Sequence, residues 1–326
     1  MSRMPWHGWL GLGMVLAFWW LNWNLDGLRT HWAFLPLWLG YCLLVDALTV
    51  VRKGHSLMTR HPRRYLGLFL VSVPAWWLFE LLNRRTQNWF YDGRQFFSDP
   101  EYALLASLSF ATVMPAVFGT AECVGTCRWM SGWRSGWRLA PSPRNLWCLF
   151  LLGWIMLGLL LIWPDYFFPL LWGSVYAILE PINAWLGKPT LLRHTATGDW
   201  RPVLALWIGC LICGFFWEMW NYYSYPKWMY RVPFVDGFPI FEMPVLGYGG
   251  YLPFALELFA IYSLLGPRVS AAGKDYIHLT HDCSVLCVVP GGHVCARVRS
   301  ARAPRGETST HHRRRGTKRT THPLRP

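Results

Sequence analysis

An acid one helical turn from an asparagine, followed by a Trp-x-Tyr, occurs twice in this chain. The first copy is Glu80 and Asn83 with Trp89 and Tyr91. The second is Glu218 and Asn221 with Trp228 and Tyr230. The acids, like the amides, are 138 residues apart, and the tryptophans 139. A spacing of three places carboxyl and amide on one helix face, where the amide can hydrogen-bond the acid. A carboxyl beside an apolar span is costly to keep charged, which suits a general acid or a proton- or cation-coupling group. One such acid could simply pin a helix end by pairing with Arg84 or Arg85; two in the same setting favour a catalytic role for Glu80, Glu218, Asn83 and Asn221. The rings of Trp89, Tyr91, Trp228 and Tyr230 are open to two readings, an interfacial belt or the aromatic wall or lid of a substrate pocket.

Three further acids are candidates for the same pocket. Asp46 and Glu180 sit in corresponding strings, Asp46-x-x-Thr49 and Glu180-x-x-Asn183, with structural pairing to Arg52, Lys53 or Lys188 as the alternative. Glu257 lies four residues after Pro253; Glu122, seven after Pro115, is a doubtful counterpart.

The elements that must position these residues are membrane helices. Hydrophobic residues make up 53% of the 326 and charged residues 15%, with 23 tryptophans, which excludes an ordinary soluble domain for most of the chain. Apolar stretches long enough to cross about 30 Å of hydrocarbon recur at 8–24, 32–51, 65–83, 102–121, 146–163, 167–186, 202–221 and 248–266. The expected fold is an all-α polytopic membrane protein of about eight transmembrane helices. Pro36-x3-Gly40 matches Pro169-x3-Gly173, and Met114-Pro115 matches Leu252-Pro253, at offsets close to those of the acids. A steady offset predicts a parallel 4+4 repeat, residues 1–133 and 134–266, related by an axis along the membrane normal.

With eight spans, Arg29, Arg84, Arg85, Arg94, Lys227 and Arg231 fall on one side and the remaining Lys and Arg before residue 267 on the other. That bias predicts a plasma (inner) membrane protein with both termini cytoplasmic and both Trp-x-Tyr segments outside. Residues 267–326 hold 12 of the 31 Lys and Arg and lack Trp and Phe, so they are expected to be a disordered basic tail or an unselected extension. Membrane lipids are the expected partners, anionic ones at the tail; nucleic acid is not expected, and the oligomeric state is open.

The chain carries no Gly-rich phosphate loop, no Ser/His/Asp order and no His-box pattern. No cofactor and no metal are expected. His7, His31, His55, His61 and His194 fall at span ends or in loops, and the tail's His278, His281, Cys283, Cys287, His293 and Cys295 fit no standard zinc spacing.

Trp217-Glu218, the later Trp228-x-Tyr230 and a proline-containing helix with an acid resemble the repeated units of integral-membrane carotenoid (lycopene) cyclases. Asp is replaced by Glu here, and the Pro-x-Glu-Glu of that family is absent, Pro253-Phe254-Ala255-Leu256-Glu257 being the nearest stretch. The resemblance covers a short part of each half. It implies acid chemistry on an isoprenoid or other lipid through Glu218 and Tyr230 and, by the repeat, Glu80 and Tyr91. A proton-coupled small-molecule transporter and a structural or assembly protein remain the alternatives.

Overall fold

The apolar stretches do become helices. The computed structural model describes residues 3–235, 237–266 and 276–280. In chain order the helices are α1 (Trp6–Asn24), α2 (Thr30–Lys53), α3 (Leu57–Arg60), α4 (Pro62–Thr86), α5 (Asp99–Phe110), α6 (Val113–Val124), α7 (Pro143–Ile162), α8 (Pro164–Phe167), α9 (Leu171–Trp185), α10 (Leu192–Thr195), α11 (Arg201–Tyr222) and α12 (Tyr251–Leu265). Among the described residues there are also two short antiparallel pairs. One joins β1 (Trp89–Asp92) to β2 (Lys227–Tyr230), the other β3 (Pro239–Ile240) to β4 (Met243–Pro244).

Among the described residues, six helical segments are long and apolar enough to cross a membrane: Thr30–Lys53, Pro62–Thr86, Asp99–Val124, Pro143–Ile162, Arg201–Tyr222 and Val245–Leu265. The chain is a mostly helical membrane protein. The other two expected spans differ for physical reasons. α9 has 15 residues, about 22 Å of helix against the roughly 30 Å of hydrocarbon. The backbone before it is broken into α8 and a 3₁₀ turn, Phe168–Leu170, and Trp172 keeps a non-helical ψ of 43°. α1 is long enough, but His7, Gly8, Gly11 and Asn22 dilute its apolar character, and it buries these together with Val15.

α1 lies on α2, α7 on α9, and α12 on both α9 and α11, while α6 packs between α2 and α11. The α1–α2 approach depends on Gly11 and Gly40: a Cβ on Gly11 would meet the Gly40 carbonyl oxygen at 2.6 Å. Such contacts let helices pack where lipid gives no hydrophobic drive to associate. The two expected halves touch: α6 meets α11 and α4 meets α12.

The expectation that the membrane part ends at residue 266 fails for one short piece. Tyr276, Ile277 and Leu279 are buried against the bundle. The Tyr276 hydroxyl donates to the Leu57 carbonyl at 2.8 Å, and Arg60 donates to the Tyr276 carbonyl at 2.8 Å. An aromatic and two aliphatic side chains in an otherwise polar segment supply the apolar surface for docking. The rest of the expected tail, with His281, Cys283, Cys287, His293 and Cys295, lies outside the described residues.

Candidate functional site

The two Trp-x-Tyr segments are neither loose loops nor independent lids. They are β1 and β2, paired so that Trp89 faces Tyr230, Phe90 faces Met229 and Tyr91 faces Trp228. Alternation along a strand turns Trp89, Tyr91, Trp228 and Tyr230 to one face, where all four line a cavity, while Phe90 on the other face is 46% exposed. The segment leading into β2 is tied to α2: Thr30 Oγ1 accepts from Tyr225 N–H at 2.7 Å, and Thr30 N–H donates to the Tyr225 carbonyl at 2.9 Å.

The asparagines build this ribbon, and they do so by the same means. Asn83 Nδ2 donates to the Trp89 carbonyl at 2.8 Å, and its Oδ1 accepts from the Asn88 and Trp89 N–H groups. Asn221 Nδ2 donates to the Trp228 carbonyl at 2.7 Å, and its Oδ1 accepts from Trp228 N–H at 3.0 Å. The expected amide-to-carboxyl bond is therefore replaced: each amide copies a strand neighbour for the backbone that follows its helix.

The acids receive the rings. Glu80 Oε1 accepts from Trp76 Nε1 and Trp89 Nε1, both at 3.0 Å, and from the Tyr91 hydroxyl at 2.6 Å. Glu218 Oε1 accepts from the Tyr230 and Tyr251 hydroxyls at 2.7 and 2.8 Å. Burial first, and the neighbouring carboxyl second, push both ribbon phenols, Tyr91 and Tyr230, well above the usual range, so they stay protonated donors.

The two acids are not equivalent in what is left over. Glu80 is half-buried and is not part of the cavity wall, although its donors Trp76, Trp89 and Tyr91 are. Glu218 is fully buried, lines the cavity, and its Oε2 has no hydrogen-bond partner among the described residues. The Trp228 side chain lies beside this carboxyl without reaching Oε2 in hydrogen-bond geometry.

The cavity holds about 460 Å³ under the ribbon and draws its wall from α2, α4, α5, α11, α12 and the turn before α9. Its lining is mostly aromatic and aliphatic. Trp172 stacks on Trp89 at 6.0 Å and on Phe79 at 5.6 Å, and Phe254 meets Trp76 and Trp172 edge-on. The Trp172 ring stands at the break in the first turn of α9, where the backbone leaves helical geometry.

Asp46, Glu180 and Glu257, expected as pocket acids, do not line the cavity. Asp46 accepts from Ser56 Oγ at 2.8 Å and Met58 N–H at 3.2 Å, with His7 Nε2 3.2 Å away. Glu180 accepts from Leu192 N–H at 2.8 Å. Each acid thus holds the start of a short helix, α3 or α10, from twelve residues upstream, the job of a capping carboxylate. The alternative partners are engaged elsewhere: Lys53 pairs with Glu122, and Lys188 reaches the Leu264 carbonyl. Glu257 accepts from Val175 N–H at 3.2 Å, near the start of α9 where the break leaves backbone donors unpaired. Oε2 of Glu180 and of Glu257 also lacks a partner, but neither oxygen has access to the cavity.

Sequence reasoning missed Tyr251, Trp76 and the role of Glu122. Trp76 stands four residues before Glu80, a spacing that marks neighbours on a helix. Tyr251 carries no such signal. Glu122 is buried between Lys53 and Arg60, and its oxygens lie within 4.8 Å of nitrogens of His55 and His278. A metal there would have to compete with two cations that already hold the carboxylate.

No protein-family model matches the chain, and neither a curated protein nor a solved structure matches it.

Proposed function

We propose that the protein is a multi-pass plasma-membrane enzyme that acts on a lipid or isoprenoid by acid catalysis, with Glu218 as the acid. The observation that carries this reading is Glu218 Oε2, a buried carboxyl oxygen without a donor, in the wall of an apolar, aromatic cavity. An unpaired carboxylate oxygen is costly there, whereas the acid presents an O–H to whatever fills the cavity. Tyr230 and Tyr251 hold the other oxygen and fix the direction of that O–H.

The step that fits is protonation of a carbon–carbon double bond. The Oε2 proton forms a C–H bond, the alkene's electron pair is consumed, and positive charge develops on the neighbouring carbon. Trp89, Trp172 and Trp228 face that charge with their rings. Return of a different proton from the cation to the carboxylate gives an isomerised or cyclised product, and no second reactant is needed. Glu80, bound by three donors, positions Trp89 and Tyr91 rather than reacting.

The same reading takes the architecture as a parallel 4+4 repeat of eight spans. Antiparallel pairing of β1 with β2, matched asparagine bonds and the twelve-residue reach of both Asp46 and Glu180 all support it. The charge bias supports cytoplasmic termini, which would put the ribbon outside. Proton-coupled transport would draw on Asp46 and Glu180 as relay groups, and their engagement with α3 and α10 favours the enzyme.

Lipid extracts of cells producing the wild-type chain or Glu218→Gln test the proposal. A lipid or isoprenoid species made by the wild type and absent with the variant is the expected result. Identical extracts from two well-folded proteins would overturn it.

A further inference from the structure

The wall of the cavity opens where a lining residue is also exposed. His31 on α2 is one such residue, and Pro169, Gly249 and Leu246 are others, Leu246 with 70% of its surface free. Around Pro169 and Leu246 the surface is apolar. Phe234 and Phe238 are 77% and 89% exposed, with Ile240 and Val245 beside them in sequence, and Tyr166 stacks on Phe234 at 6.0 Å. Val232, Val235 and Met243 belong to the same stretch of chain but line the cavity. Residues 232–235 and 237–247 therefore present apolar side chains both to the inside and to the outside. The two exposed rings, Phe234 and Phe238, sit on backbone with positive φ, 64° and 52°, a costly conformation for a bulky residue.

Rings this exposed would be a liability in water, and a bilayer surface accommodates them. The gap beside them has little side-chain bulk: Gly247, Gly249 and Gly250 line the cavity next to Leu246, and a Cβ on Gly249 would meet nothing within 4 Å. We infer that this stretch and Phe168–Pro169 form a lateral doorway that admits the hydrocarbon chain of a membrane lipid from the bilayer into the cavity. The proposal deepens the reading of Glu218 as the acid and rests on it for the fate of the chain, though not for its entry. An apolar edge of this kind selects a chain by its hydrocarbon and passes it sideways, without exposure to water.

The full-length protein in phosphatidylcholine vesicles, doped with a phospholipid carrying a diazirine at its acyl terminus, tests the doorway. After photolysis, peptide mapping should find label at Phe168, Met243 or Leu246 as well as on the outward side chains Leu151 and Ile155 of α7. Gly249→Phe, at a position where a Cβ meets nothing within 4 Å, should lower the doorway label about fivefold and leave the α7 label unchanged, which also reports folding. Leu246→Asp, at an exposed position, should do the same by placing charge in the opening. Label confined to α7 in the wild type, or doorway label indifferent to both variants, would overturn the proposal. Glu218→Gln should retain the doorway label. If it does and lipid composition is also unaltered, the acid falls and the doorway stands.

Discussion

Tyr91 stands opposite Trp228 in the β1–β2 ribbon. The two residues come from segments well over a hundred positions apart, and the pairing makes one aromatic roof from both. Tyr91 hands its hydroxyl to Glu80, while Trp228 lies beside Glu218, so the roof couples the acids mechanically without joining them chemically. One carboxyl gathers three ring donors on Oε1 away from the cavity wall, and the other stands in that wall with a buried, undonated oxygen.

That asymmetry predicts unequal variants. Glu218→Gln should lower product formation by about 10²-fold or more, the usual range for losing a general acid. Glu80→Gln keeps a carbonyl oxygen for Trp76, Trp89 and Tyr91 and should stay within about tenfold, the larger part of that loss reflecting a shifted ribbon. Product measured in lipid extracts at matched protein levels decides it. Equal losses from the two variants would contradict the division of roles.

The asparagines should register in stability rather than chemistry. In Asn83→Ala the Trp89 carbonyl and the Asn88 and Trp89 N–H groups lose their partner in a buried setting. Leaving such groups unsatisfied costs about 2 kcal/mol or more. Thermal unfolding in detergent should show a clear fall in Tm for Asn83→Ala and for Asn221→Ala, and almost none for Glu218→Gln. A stable Asn83→Ala with abolished turnover would restore these amides to a chemical role.

How much of this was legible in the sequence depends on the range of each contact. The spacing from Glu80 to Asn83 and the later Trp-x-Tyr placed the acid, amide and rings of each copy in one neighbourhood, because those contacts stay within about a dozen residues, but not the pairing of one copy with the other. Alternating large side chains in Trp89-Phe90-Tyr91 also satisfied a strand, but in an apolar chain period two is drowned by the helical runs around it. Tyr251 reaches Glu218 from the far side of a long loop, and Arg60 reaches Glu122 from another helix. No periodicity reports such pairs. The break at Trp172 was hidden for a different reason: residues 167–173 around it are almost all apolar, and apolarity says nothing of whether ψ stays helical.

The Glu122 cluster should be the most sensitive site in the bundle. Its carboxyl holds both Lys53 and Arg60, and all three side chains are largely removed from water. Glu122→Gln leaves two cations facing each other without their counter-charge, a loss of about 3 kcal/mol or more. Unfolding in denaturant or by heat should expose it, and Lys53→Met combined with Glu122→Gln should recover part of the loss by removing one of the stranded charges. Failure of the double variant to recover anything would mean that the carboxyl acts elsewhere, for instance on the docked segment at Tyr276.

That docked segment should release in acid, and the sign follows from His278. Burial first, then the positive charge of Arg60, lowers its imidazole from the ordinary 6.5 to about 4, although Glu122 pulls the other way and Lys53 and His55 add to the repulsion. Docking therefore favours the neutral ring. Above pH 6.5 neither the docked nor the released segment carries the proton, and docking is at full strength. Between 6.5 and about 4 the released segment binds a proton that the docked one does not, so docking weakens steadily as pH falls through that window. Hydrogen exchange at Tyr276–Thr280, corrected for the intrinsic effect of pH, should show protection lost from pH 7 to pH 4. His278→Phe, which keeps a ring and removes the titration, should flatten the profile. A profile as steep in His278→Phe as in the wild type would assign the acid release to another group, and Glu122, the acid nearest to the segment's anchor Arg60, would be the next to substitute.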